Sequence, residues 1–72
     1  MNKEKIARTL VELRGEKRRE IVASALGISV SALSMYEIGE RIPRDEIKIA
    51  IANYYNRTVG EIFFDENDTK RD

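Results

Sequence analysis

Few side chains in this chain of 72 residues could do chemistry. Histidine and cysteine are both absent. That removes the commonest general base, the commonest metal ligand, thiolate nucleophiles and disulfides. Asp45 and Glu46 are the nearest approach to a catalytic carboxylate pair. They stand where a helix begins, and the helix dipole favours acidic residues in a first turn without any catalytic role. No enzyme, metal or cofactor is expected. The arginines are more informative. Arg18 and Arg19 stand at the start of a helical stretch, where positive charge opposes the dipole. A bound phosphate would offset that cost, and a solvated surface pair is the plain alternative.

These arginines open the stretch from Arg19 to Gly39, REIVASALGISVSALSMYEIG. Its spacing predicts two short helices around a tight turn. Ala23 is small enough for a second helix to cross closely. Gly27 follows the apolar end of the first helix at Leu26, where a left-handed backbone is needed. Ser29 caps the second helix through its hydroxyl. Leu33 points back into the crossing and Tyr36 follows one turn later. The arrangement is a helix-turn-helix, whose second helix can enter the major groove of DNA. An ordinary corner in a small helical bundle has the same local pattern. The outward positions of the second helix are Val30, Ser31, Ala32, Ser34 and Met35, and none is Arg, Gln or Asn.

The flanking segments supply the rest of an all-α fold. Ile6, Leu10 and Leu13 form one helical stripe over residues 3–14, with Ala7 beside it, Asn2 as N-cap and Gly15 as stop. Residues 16–20 are a charged link. The helix beginning at Val30 runs to about Ile38, with Gly39 as its stop. After the loop Glu40–Pro43, a fourth helix begins at Arg44. Ile47, Ile51 and Tyr55, with Ala50 and Tyr54, give it a broad apolar stripe. Asn56 takes its left-handed end. Thr58 and Glu61 read as a capping box opening a short fifth helix with Val59, Ile62 and Phe63. One domain is expected over residues 1–64 and a frayed polar tail over residues 65–72. With no signal peptide and no long apolar run, a soluble cytoplasmic protein is expected, with no membrane partner.

Net charge is zero, with 13 basic and 13 acidic residues. Its distribution is uneven. Residues 1–44 carry nine Lys or Arg against six Asp or Glu, a net of +3, and residues 45–72 carry four against seven, a net of −3. A chain split in this way suits a protein with one face toward phosphates; with so few charges, chance produces the same split.

In the order IARTLVELR, EIVASALGISVSALSMYEIGERIP and IAIANYYNRTVGEIFF, the chain resembles the Cro/repressor-type (Xre-like) helix-turn-helix family of bacterial and phage transcription regulators. The resemblance covers about residues 4–64. It implies a compact five-helix, lambda-repressor-like DNA-binding domain in which helices two and three read DNA. By position, Arg18, Arg19, Arg41 and Arg44 would contact phosphates. Val30, Ser31, Ala32, Ser34 and Met35 would face bases, and Arg14 and Glu37 would form an ion pair joining helix one to helix three.

The departures from the family pattern are specific. The link after helix one is short. Arg18 replaces a capping Thr or Ser, Arg19 a Gln, Ile38 a polar residue and Arg57 an apolar one. A recognition face without Gln or Arg weakens the case for hydrogen-bonded base reading. The expected function is a sequence-specific regulator, a repressor, that binds palindromic double-stranded DNA as a homodimer through Phe64, Ile62 and Tyr54. The alternative is a protein-interaction module on the same fold, an antitoxin or antirepressor partner with little DNA affinity.

Overall fold

The computed structural model describes residues 2–64. Met1 and the tail expected over residues 65–72 lie outside the described residues. Within them the chain forms α1 (Lys3–Arg14), α2 (Arg19–Leu26), α3 (Val30–Glu37), α4 (Asp45–Tyr55) and α5 (Val59–Phe63), with no strand among the described residues. The expected all-α, five-helix architecture is the observed one.

Side-chain caps start three of the helices. Asn2 Oδ1 accepts from the Lys5 amide at 3.0 Å, and Ser29 Oγ accepts from the Ala32 amide at 3.0 Å. At α5 the box is reciprocal. Thr58 Oγ1 accepts from the Glu61 amide at 3.0 Å, and the Thr58 amide donates to Glu61 Oε1 at 2.8 Å. Such a box satisfies two amides that the helix itself leaves open. Arg18 and Arg44 occupy the cap positions of α2 and α4 and make no side-chain cap bond. The fourth helix therefore begins one residue later than the sequence pattern suggested, at Asp45.

Gly27 and Gly39 both take a positive φ and set the packing of α3. Gly27 has φ of 73° and ends α2 with its amide on Ser24 carbonyl at 3.1 Å, while Ile28 donates to Ala23 carbonyl at 3.0 Å. This turn sets α3 across α2. Gly39 has φ of 81°, and a Cβ there would lie 3.5 Å from the Lys3 carbonyl and 3.8 Å from Ala7 Cβ. The chain leaving α3 thus passes directly over the first turns of α1. Ile38 is the C-cap of α3 rather than part of the helix.

One core joins all five helices: Ile6, Leu10, Val22, Ala23, Leu26, Leu33, Tyr36, Ile51, Ala52, Ile62 and Phe63. Helix α3 packs on α1 and α2, and α4 and α5 close the other side. The stripe of α4 differs from expectation. Ile51 and Ala52 are buried, while Ile47, Ala50, Tyr54 and Tyr55 are only partly so. Lys48 is also buried, its ammonium 6.0 Å from the Phe63 ring centre and 5.8 Å from that of Phe64. Those separations fit cation–π attraction. Asp45 Oδ1 lies 3.5 Å from the same ammonium.

Gly27→Ala forces an alanine into the left-handed region and is expected to cost about 1–2 kcal/mol. Open space surrounds that position, so only the backbone is strained. Gly27→Asn should therefore recover part of the loss. Urea unfolding of the three proteins checks both.

Candidate nucleic-acid interface

Glu37 is the last residue of α3, and its side chain has 0% exposure. A carboxylate taken out of water needs charged donors on its oxygens. It has two. Arg14 Nε, from the end of α1, donates to Oε2 at 2.8 Å. Arg19 Nε, from the start of α2, donates to Oε1 at 2.9 Å. Arg14 donates further through Nη1 to the Lys17 carbonyl at 2.7 Å, which closes the short link between α1 and α2. The Glu37 hydrogen bond raises Arg14 above its ordinary pKa against the opposing effect of burial.

The family resemblance implies Arg14 opposite Glu37 and Arg19 on phosphate alone. The structure instead brings Arg19 to Glu37 as well, so three helices meet at one carboxylate. Residue types bear on this, although the pairing itself needs the α2–α3 crossing. Glu37 is the single acidic residue of α3, and Arg19 departs from the family's usual Gln. The Arg14 side chain is 15% exposed and closed in, whereas that of Arg19 is 42% exposed.

The outer face of α3 carries Val30 and Met35, each 41% exposed, with Ser31 exposed and Ser34 half-buried between them. Ala32 is half-buried, as Ser34 is, and packs partly against the core. Ile38, at 64% exposure, extends the apolar face at the helix end. Arg41 and Arg44 line one surface groove with Tyr36 and Ile42, immediately after α3. Arg18, Arg41 and Arg44 are exposed and have no ion pair among the described residues. Arg18 and Arg44 stand at the two helix starts without a side-chain cap. Open amides at a helix start, with arginine beside them, suit a phosphate oxygen, although Glu20 in the first turn of α2 and Asp45 and Glu46 in that of α4 oppose an anion there.

The residues expected to pair two copies do not form one surface. Ile62 is buried at 5% exposure and belongs to the monomer core. Tyr54 lies under Lys17, whose ammonium is 5.0 Å from its ring centre, and it stacks edge-on against Tyr55 at 5.0 Å. Phe64 is 40% exposed and borders a groove with Asn2, Lys5, Ile6 and Thr9. It is the C-cap of α5 with extended backbone, not a helical residue. Tyr54 thus flanks the link after α1 and Phe64 its first turns. Twelve helical residues separate those ends, a rise of about 18 Å.

The Tyr55 phenol is pushed up to about 12, first by burial, then by the Glu37 carboxylate and Tyr54, with Arg14 pulling the other way. Its folded value lies above the unfolded value of about 10. Its contribution to stability is therefore complete below pH ~10 and is lost as pH rises toward the folded value. Stability is expected to fall between about pH 10 and 12, and Tyr55→Phe should flatten part of that fall in chemical unfolding curves taken across that range. Glu37→Gln leaves two guanidiniums without their counter-charge, and a loss on the order of 3–5 kcal/mol is expected from urea unfolding at neutral pH.

A helix-turn-helix family model matches residues 12–62. No curated protein matches the chain, and no solved structure does. Among the described residues, no helix is long and apolar enough to cross a membrane. The matched residues contain all of α2, the turn at Gly27, α3 and α4. The chain belongs to the Xre/Cro-like helix-turn-helix family of DNA-binding transcription regulators.

Proposed function

We propose that the protein is a sequence-specific repressor that binds palindromic operator DNA in the cytoplasm as a homodimer. One observation carries the sequence-reading part. The outer face of α3, with Val30, Ser31, Ser34 and Met35, lies in the chain between Arg18 and the groove of Arg41 and Arg44, three exposed arginines with no ion pair among the described residues. Arginine contacts to phosphate supply affinity and register, and the face between them reads bases. Val30 and Met35 suit thymine methyl groups, and the Ser31 and Ser34 hydroxyls suit base-edge donors or acceptors. Sequence-dependent DNA shape adds to so short a set of contacts. A domain seated on an operator excludes other proteins from it, so repression needs no further part.

A single α3 makes few base contacts. Two copies on a palindrome double them, with half-sites about 34 Å apart. Phe64 is the residue we assign to pairing, because it is apolar, 40% exposed and placed at the C-cap of α5 rather than on α3. Ile62 and Tyr54 are engaged within the monomer and are not part of that proposal.

A second reading has its own observation. Val30, Met35 and Ile38 leave α3 largely apolar, and the chain has zero net charge. Both features suit a protein-interaction module with little DNA affinity. Gel shifts on genomic fragments at low salt separate the two. A discrete shifted band supports the regulator, and no binding at micromolar protein favours the module.

Arg41→Ala and Arg44→Ala should weaken binding to all duplexes alike and lower the salt slope by about one unit each. Met35→Ala should instead relax the preference at one A·T position, read by selecting sites from random DNA. Sedimentation of wild type and Phe64→Ser at micromolar concentration checks pairing. A wild type that stays monomeric both free and on DNA removes the dimer, and a folded Phe64→Ser that still pairs moves the contact elsewhere.

A further inference from the structure

We infer that Arg19 and Glu37 are positioning residues that couple a DNA phosphate to the orientation of α3, so that sequence discrimination depends on a carboxylate that never reaches the DNA. The inference rests on the DNA-binding reading above and deepens it.

The charge count points there. Two guanidiniums share one buried carboxylate, so the cluster retains one positive charge. Arg14 does not display it, being closed in and committed through Nη1 to the Lys17 carbonyl. Arg19 does. Its Nε bond to Glu37 holds the plane of the guanidinium, and its side chain is 42% exposed at the start of α2. A guanidinium has five donors in a rigid fork, so the outer donors can meet a phosphate while Nε keeps Glu37. Arg14, Glu37, Arg19 and phosphate then alternate in sign along one hydrogen-bonded chain. Glu37 ends α3 and Arg19 begins α2. A phosphate that fixes Arg19 therefore fixes the end of the helix whose outer face reads bases. Lysine at position 19 would keep the charge, but an ammonium has no rigid plane with which to span both anions.

The experiment uses Arg19→Lys, Arg19→Gln and Glu37→Gln in the full chain, with folding checked by circular dichroism. The two Arg19 variants keep the Arg14–Glu37 pair, so they remain testable where Glu37→Gln is too unstable. Affinity is measured for the best 20-bp duplex selected from random DNA and for its scrambled counterpart, over a range of salt. For Arg19→Lys, discrimination between the two duplexes should fall by about fivefold or more, so that the loss on the selected duplex clearly exceeds the loss on the scrambled one. The Glu37 carboxylate ¹³C resonance should shift when wild type meets the scrambled duplex, and should not shift in either Arg19 variant. Full discrimination in a folded Arg19→Lys, or a parallel loss on both duplexes, overturns the coupling while leaving DNA binding intact. A wild type that binds neither duplex overturns the DNA-binding reading and the coupling together.

Discussion

The buried carboxylate of Glu37 is the constraint on which the rest of this small domain depends. Apolar contacts hold five helices together but are non-directional, and they tolerate small rotations of one helix against another. A carboxylate without exposure does not. Each of its oxygens must stay within hydrogen-bond reach of a guanidinium, one from α1 and one from α2. Those two bonds set where α3 ends relative to both neighbours. Buried ion pairs are a weak source of net stability, because desolvation consumes much of the attraction. Their value here lies in geometry, since they fix the end of α3, the helix proposed to read bases.

The ends of the helices divide the molecule in the same sense. Asn2, Ser29 and Thr58 close the starts of α1, α3 and α5 with their own side chains. The starts of α2 and α4 carry arginine in place of a capping side chain, and both flank α3 in the chain. Positive charge at a helix start is unfavourable in isolation and becomes favourable when an anion arrives. Glu20 in α2 and Asp45 and Glu46 in α4 offset part of that cost, and the exposed arginines beside them leave the surface next to α3 suited to phosphate. Zero net charge over the whole chain conceals this, because the acidic excess falls in residues 45–72.

Much of the fold was legible because its signals are local. Gly27, Gly39 and Asn56 mark helix ends through their backbone freedom, and Asn2, Ser29 and Thr58 mark starts through a single hydrogen bond. The less legible features depend on contacts between distant residues. Lys48 reads as solvated by type, yet it shares a helical face with Ile51 and Ala52 and is covered by Phe63 and Phe64. Tyr54 reads as part of the α4 stripe and as a pairing contact until Lys17 is placed over its ring. Ala32 reads as outward, yet it is half-buried and packs partly against the core. Arg19 was legible as a cation at a helix start but not as a partner of Glu37, because the pairing needs the α2–α3 crossing to exist first. For the candidate site, then, residue types and the helix that bears them were readable, and their mutual engagement was not.

The central claim is that the Glu37 cluster aims α3 at base edges. A crystal structure of the protein bound to its best selected duplex tests it most directly. The account predicts α3 in the major groove, Val30, Ser31, Ser34 and Met35 against base edges, and Arg14 and Arg19 still on Glu37. A duplex seated on another face, or an α3 in the groove with the Glu37 cluster broken, would contradict it.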